Sequence, residues 1–274
     1  MSKIQKALEK AKEMRGDFFD RFTPAPEAPE EAENSQGRRG RERREEAQAP
    51  VYLHTRTVSA DFEHLLQNHI IPDCKGSSAA NRVKMLRTHI LAKMANEGKN
   101  ALLITSANPG EGKTLTAINL AISISQEMDR TILLVDSDLR KPSVHSYFGF
   151  EANQGLSDYL RKDIPLSALL VSPGIEKLVI LPGGRPLTNS SELLGSPKME
   201  SLVMELKERY SNRFIIFDSC SLLEFADPLV LARFIDGILL VVEAEKTTRN
   251  DLKRAFELLK DRPVIGTLLN KLRD

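Results

Sequence analysis

The stretch Ser106-Ala-Asn-Pro-Gly-Glu-Gly-Lys-Thr114 decides the fold of this chain. A short apolar run of strand character, Ala101-Leu-Leu-Ile-Thr105, precedes it, and a run with apolar residues at helical spacing follows from Leu115. A glycine-bearing turn between a strand and a helix is the setting of a phosphate-binding loop (P-loop). Glycine lets the backbone N–H groups curl toward an anion, and the helix start adds unpaired N–H groups. The pattern therefore predicts a nucleotide site built on this turn.

Two side chains of the loop have the chemistry that a nucleoside triphosphate needs. Lys113 is placed to reach the terminal phosphates, and the Thr114 hydroxyl is placed to ligate Mg²⁺. The motif G-x-x-x-x-G-K-[ST] would have its first glycine at Ala107, so the loop is a variant of that motif. The residues expected to bind the nucleotide from this segment are Asn108, Pro109, Gly110, Glu111, Gly112, Lys113, Thr114 and Leu115.

Further short apolar runs follow the loop, and helical stretches such as 190–210 and 249–260 separate most of them. Continuous apolar strands that alternate with helices are typical of a parallel sheet covered on both faces. The expected fold class is therefore α/β: a P-loop, doubly wound, mainly parallel sheet flanked by helices, with a flexible N-terminal extension. The strands predicted after the loop are 131–136, 178–181, 214–218, 237–242 and 264–269.

Aspartates stand at the ends of two predicted strands. Asp136 closes one strand and is followed by Asp138, and Asp218 closes another. Because the carboxyl ends of parallel strands share one rim with the P-loop, these three carboxylates are expected to lie near Lys113 and Thr114. One aspartate alone could be a turn residue or a helix cap. Two strand ends with aspartate in a chain that has a P-loop favour Mg²⁺ ligands and a base.

The composition argues against several other functions. A net charge of +1 gives no overall positive electrostatic potential that would attract nucleic acid, and the absence of tryptophan argues against a surface on which bases stack. The two cysteines, Cys74 and Cys220, match no metal-ligand spacing. No apolar run approaches the roughly 20 residues of a membrane span, and the N-terminus lacks a signal-peptide core. The sequence therefore predicts a cytoplasmic location.

The N-terminal part differs in composition from the rest of the chain. Residues 2–15 predict an amphipathic helix with an apolar stripe and an excess of lysine, either a solvated terminus or a docking helix for a partner or an anionic membrane face. Residues 23–50 are punctuated by proline and predict a solvated tether. A short helix is expected around 61–69. The expected organisation is an N-terminal amphipathic helix over 1–22, a flexible linker over 23–75 and a P-loop ATP-binding domain over 76–274.

Three segments of the chain carry a family resemblance. They are Pro109-Gly-Glu-Gly-Lys-Thr114, Leu133-Leu-Val-Asp-Ser-Asp-Leu-Arg-Lys-Pro142 and the stretch from Phe148 through Asn153-Gln-Gly-Leu-Ser-Asp-Tyr-Leu160. Together they resemble the bacterial tyrosine kinases, the P-loop kinases of exopolysaccharide and capsule loci. The resemblance covers about residues 80–271, and the D-x-D-x-R pattern of the second segment is its most specific part. It implies an ATP-dependent protein-tyrosine (auto)kinase that regulates exopolysaccharide synthesis or export, with ATPase activity as a further expectation.

The resemblance also implies a role for each site residue. Lys113 would neutralise the β- and γ-phosphates, Asp136 would orient or deprotonate the attacking tyrosine hydroxyl, and Asn270 would lie at the adenine edge. Thr114, Asp138 and Asp218 would hold Mg²⁺ or its waters, and Arg140 would join the nucleotide-binding set. The implied catalytic residues are Lys113, Asp136, Asp138 and Asp218, and the implied cofactors are ATP and Mg²⁺.

The implied partners are a membrane adaptor of the polysaccharide chain-length or export type and a protein tyrosine substrate. The adaptor would recruit the chain to the inner face of the cell membrane. The resemblance leaves open whether the chain forms a homo-oligomer. The alternative is a non-kinase ATP switch of the partitioning or septum-site type that binds a membrane adaptor. Such ATPases carry a second lysine, K-G-G-x-G-K-T, where this chain has Asn108, which favours the kinase.

Three departures from the kinase pattern keep the alternative open. The family's Asp-Thr-Pro-Pro reads Asp218-Ser-Cys-Ser221 here. The oligomerisation pattern E-x-x-R-x-x-R aligns with Asn81, Lys84 and Arg87 and lacks its acidic member. A tyrosine-rich C-terminal tail is absent from the sequence, and among its four tyrosines Tyr52 is the one expected to be exposed.

Overall fold

A sheet of eight strands runs through the part of the chain that the structure describes. This structure, a computed structural model, describes residues 56–60, 62–70, 77–95, 99–210 and 212–272. The strands are β1 (Arg56–Thr57), β2 (Ala101–Ser106), β3 (Thr131–Asp136), β4 (Val171–Ser172), β5 (Leu178–Leu181), β6 (Arg213–Ser221), β7 (Gly237–Glu243) and β8 (Val264–Asn270). Their order is β1-β4-β5-β3-β6-β2-β7-β8, and every neighbouring pair is parallel except β4 and β5. The mainly parallel α/β fold predicted from the sequence is confirmed.

Helices connect the strands and cover both faces of the sheet. Within the described residues they are α1 (Phe62–Gln67), α2 (Ser78–Ala95), α3 (Lys113–Ser125), α4 (Val144–Tyr147), α5 (Leu156–Arg161), α6 (Leu166–Leu169), α7 (Ser190–Leu194), α8 (Pro197–Glu208), α9 (Asp227–Leu231) and α10 (Arg249–Leu258). None of them is long and apolar enough to span a bilayer.

Alternate residues of the central strands feed two separate cores. In β2, Leu102 and Ile104 pack with the inner face of α3, whereas Leu103 packs on the opposite face of the sheet with residues of α8 such as Leu202. All of these side chains are fully buried. A strand with both faces covered needs apolar residues at every position, which explains the continuous runs in the sequence. Each such side chain contributes about 1.5–3 kcal/mol through burial.

Two elements differ from the sequence-based expectation. The helix expected over 190–210 is broken into α7 and α8, because Pro197 has no N–H and cannot continue α7; Gly195 ends α7 where a Cβ would lie 2.6 Å from Val230 Cγ1. Ser196 then caps α8 by accepting a hydrogen bond from the Met199 backbone N–H at 3.3 Å, with Pro197 in the first turn. The strand expected to end at Asp218 continues to Ser221.

Part of the expected linker belongs to the folded sheet. Strand β1 pairs with β4, and the short helix predicted around 61–69 is present as α1, with Leu65 and Ile70 buried against the α3 side of the sheet. The expected start of the domain at residue 76 is therefore too late, since packed residues begin at Arg56. The predicted helix over 2–15, the tether over 23–50 and Tyr52 lie outside the described residues, so those expectations stay predictions.

Candidate functional site

The P-loop has the backbone conformation that its glycines predict. Gly110 and Gly112 have φ angles of 79° and 93°, in the left-handed region that favours glycine. Helix α3 begins directly afterwards at Lys113, with the Gly112 carbonyl accepting the Thr116 N–H at 2.9 Å. The strand, the turn and the helix N-terminus are thus in the arrangement that directs backbone N–H groups at an anion.

The strand register brings the three predicted aspartates to this loop. Asp136 on β3 is the register partner of Asp218 on β6, and Asp218 is in turn paired with Ile104, close to the end of β2. Lys113 Nζ lies 3.7 Å from Asp138 Oδ2, with both side chains largely buried. Asp138 thus contacts Lys113, and Asp136 and Asp218 lie side by side on adjoining strands, while the roles predicted for the three carboxylates stay predictions.

Burial and mutual repulsion perturb these carboxyl groups. Asp218 is fully buried, and burial raises its pKa to about 7, against the lowering effect of Lys113 and the Thr114 hydroxyl. Burial and the charge of Asp218 raise the pKa of Asp136 well above its ordinary range, although its Oδ2 accepts N–H bonds from residues 143 and 144. Burial raises the pKa of Asp138 more than Lys113 lowers it. Strongly perturbed acids in one cluster are typical of a functional site.

The buried oxygens of this cluster fit a divalent cation. Both carboxylate oxygens of Asp218 and Oδ1 of Asp136 are buried without a well-formed hydrogen bond. Orphaned acceptors of this kind are expensive unless a ligand satisfies them. In the described residues no three His, Cys, Asp or Glu side chains come close enough to hold a metal ion by themselves. That pattern suits Mg²⁺, which binds one or two carboxylates together with phosphate oxygens and water.

Arg140 points to a partner that the sequence did not reveal. Its Nη2 lies 3.0 Å from Asp227 Oδ1, and its Nε lies 3.2 Å from Asp227 Oδ2. The Arg140 guanidinium also donates to the Thr188 carbonyl at 3.1 Å and stacks 4.4 Å from the Phe225 ring centroid. Asp227 is fully buried and also accepts a bond from the Ser190 hydroxyl. Arg140 thus ties the loop after β3 to Asp227 and Thr188. The predicted contact of Arg140 with nucleotide stays a prediction.

The remaining predicted nucleotide contacts lie around the loop. Asn270 Nδ2 donates to the Glu111 carbonyl at 2.9 Å and fills the space next to Gly112, where a Cβ would meet that nitrogen at 2.2 Å. Pro109 is exposed, and Leu115 is half-buried against the core on the α3 side. Asn270 thus lies at the edge of the loop, and its contact with adenine stays a prediction.

The fold and this site define a P-loop nucleotide-binding α/β protein. No protein-family model matches the chain. The chain is 33% identical over 193 residues to the tyrosine-protein kinase YwqD of Bacillus subtilis, which covers 70% of this chain and 80% of that protein. The chain therefore belongs to the bacterial tyrosine-protein kinases.

Solved structures agree with this assignment. The kinase domain of the Escherichia coli tyrosine kinase ETK matches with a TM-score of 0.71 and 26% identity, over 82% of this chain and 90% of that domain. The septum site-determining protein MinD of Pyrococcus horikoshii, complexed with Mg-ADP, matches with a TM-score of 0.51 and 25% identity, over 61% of this chain and 68% of that one. The similarity is greater to the kinase, so the kinase prediction is confirmed over the septum-site alternative.

Proposed function

We propose that this chain transfers the γ-phosphoryl group of ATP to a tyrosine hydroxyl of a protein. The observation that carries the proposal is the buried cluster of Asp136, Asp138 and Asp218 beside Lys113 and the P-loop. Kinship with named tyrosine kinases supports tyrosine as the acceptor. Phosphoryl transfer needs little covalent chemistry from the protein, so positioning and charge neutralisation by these residues are sufficient.

Each residue has a distinct part in this proposal. The Lys113 ammonium, now 3.7 Å from Asp138, would turn to the β- and γ-phosphates when ATP enters. Thr114, Asp138 and Asp218 would hold Mg²⁺, which when bound neutralises phosphate charge. Asp136 would orient or deprotonate the acceptor hydroxyl through Oδ1, because its Oδ2 already accepts two backbone N–H bonds. A raised pKa makes Asp136 a better proton acceptor near neutral pH than an ordinary aspartate.

The direct test is incubation of the full chain with labelled ATP and Mg²⁺, followed by detection of phosphotyrosine. Wild type should accumulate phosphotyrosine, and Lys113→Met should not, because the variant cannot neutralise the transferring phosphates. Lys260→Met is the matched control, since Lys260 is exposed beyond α10. Wild type that hydrolyses ATP without forming phosphotyrosine on itself or on any protein of its own cell would refute the kinase proposal and favour the ATP switch.

The cellular role is the regulation of exopolysaccharide synthesis or export beside a membrane adaptor. The predicted helix over 2–15, on a tether of roughly 30 residues that reaches about 30 Å, would bring the domain to the inner face of the membrane. Removal of residues 1–22, or Ile4→Asp combined with Leu8→Asp, should release the protein from membranes in cell fractionation and leave ATP turnover nearly intact. Glu9→Gln is the control on the polar face. A double variant that still sediments with membranes would exclude this helix as the anchor.

A further inference from the structure

Glu111 is a buried carboxylate in a loop that receives an anion. Pro109 and Gly110 next to it are exposed, yet Glu111 is only 2% exposed. A negative charge at this place opposes phosphate binding by Coulomb repulsion. The residue therefore needs another physical reason for its position, and its contacts provide one.

Both carboxylate oxygens of Glu111 accept hydrogen bonds. Oε2 accepts the backbone N–H of Asn108 at 3.0 Å, which closes the loop on itself. Oε1 accepts the Thr247 hydroxyl at 2.5 Å. The Thr247 oxygen in turn accepts the backbone N–H of Glu243 at 2.8 Å, so its own proton is directed at Glu111. A chain of three hydrogen bonds thus links the end of β7 to the backbone of the P-loop.

The end of β8 holds the same loop through its carbonyl groups. Asn270 Nδ2 donates to the Glu111 carbonyl at 2.9 Å, and Lys271 Nζ donates to the Gly110 carbonyl at 2.7 Å. In a trans peptide the N–H group points away from the carbonyl of the same unit. The N–H groups of Glu111 and Gly112 are therefore turned away from these two donors. They are left available to an anion.

We infer that Glu111 and Thr247 are positioning residues that hold the P-loop in its anion-binding conformation before nucleotide arrives. The inference rests on the proposed nucleotide site. Because the loop is already ordered, ATP does not have to order it on binding, and this gain offsets the repulsion from the carboxylate. The turn after β7 and the P-loop then behave as one unit.

The sharpest variant is Thr247→Val, which removes the hydroxyl and keeps the shape of the side chain. In the full chain with Mg²⁺, calorimetry should show an ATP Kd raised by about tenfold, equivalent to about 1.4 kcal/mol. The KM for ATP should rise by a similar factor, with kcat at saturating ATP changed much less. Thr247→Ser should restore wild-type binding. Thr88→Val, which removes an exposed hydroxyl bonded within α2, is the matched control and should bind as wild type does.

Glu111→Ala distinguishes positioning from electrostatics by the sign of its effect. Loss of a negative charge alone predicts tighter ATP binding, whereas loss of the hydrogen-bonded chain predicts weaker binding. Combining Glu111→Ala with Thr247→Val should weaken binding no further, because the chain is already broken. Tighter binding by Glu111→Ala, wild-type binding by Thr247→Val, or a fully additive double variant would overturn the inference.

The two proposals can fail separately. A wild-type protein that binds ATP but forms no phosphotyrosine would refute the kinase proposal, while the binding series would still decide the role of Glu111 and Thr247. A wild-type protein that binds no ATP would overturn both.

Discussion

Replacing Asp218 by asparagine should make the protein more stable in the absence of nucleotide and Mg²⁺ while it abolishes phosphoryl transfer. Asp218 is fully buried, and neither of its oxygens accepts a well-formed hydrogen bond. Asparagine has nearly the same shape and no charge to desolvate. The same substitution removes a hard anionic oxygen from the proposed Mg²⁺ ligands, so turnover should be lost.

The pKa of Asp218 sets both the size and the pH range of this effect. The folded protein has a pKa of about 7 at Asp218, and an unfolded chain has about 3.9. Because the folded state holds the proton more tightly, wild-type stability should fall as pH rises from about 4 to about 7 and then level off. At about 1.4 kcal/mol per pH unit, the full difference is on the order of 4 kcal/mol. Removing this charge also relieves Asp136, which acts in the same direction.

Thermal unfolding in the presence of EDTA, measured from pH 3 to 8, would check this prediction. The two proteins should unfold with similar free energy near pH 3, and the variant should be more stable by up to about 4 kcal/mol at pH 8. That corresponds to about 10 °C in Tm for a domain of this size. Asp163→Asn, at an exposed aspartate, is the control and should change stability little at any pH. Parallel pH profiles for wild type and Asp218→Asn would refute the argument that burial of this charge destabilises the protein.

Three further outcomes test other parts of the structure. Gly112→Ala should lower the free energy of unfolding, measured by calorimetry, by at least about 1 kcal/mol, because φ is 93° there and a Cβ would meet Asn270 Nδ2 at 2.2 Å. Adding Asn270→Ala should relieve the collision but leave the backbone strain. Arg140→Met should lower the free energy of unfolding, measured by urea titration, by about 3 kcal/mol, because the fully buried Asp227 is left without its cation. Adding Asp227→Asn should recover part of that loss. An unchanged urea midpoint for Arg140→Met would exclude the pair as a structural link. Trypsin should cut first among residues 38–44 and leave a resistant core that starts upstream of β1. Mass spectrometry of the fragments would identify the first cuts. Early cuts within the sheet would contradict that boundary.

The parts of the fold that depend on local chemistry could be predicted from the sequence. The P-loop follows from glycine, lysine and threonine at a strand-to-helix junction. The meeting of Asp136 and Asp218 follows because parallel strands end at one rim. The expected helix over 190–210 does not include the break between α7 and α8, although Gly195 followed by Pro197 is an ordinary stop and start signal.

The contacts that complete the site could not be predicted, because they join distant parts of the chain. Arg140 and Asp227 are 87 residues apart, and Glu111 and Thr247 are 136 apart. A single sequence carries no covariation that would connect residues so far apart. In the sequence, Asp227 before a proline indicates a helix start, and α9 does begin there. Glu111 is typical of any polar loop residue. Only the packing of α9 and the turn after β7 against the rim gives these side chains their partners.

The continuation of β6 to Ser221 changes how the site keeps its shape. Where relatives in this family are expected to have two prolines soon after the aspartate, this chain has Ser219-Cys-Ser221 in a strand, with Ser221 paired to Ser106 and the Cys220 carbonyl bound by the Thr105 hydroxyl at 2.7 Å. Proline rings stiffen a segment covalently, whereas here cross-strand bonding does it. The Leu222 N–H also donates to the Ser106 carbonyl at 2.8 Å, so the segment is tied to β2 on both sides of Ser221. The segment after Asp218 therefore depends for its shape on β2, the strand that leads into the P-loop, so the two sides of the site are mechanically coupled.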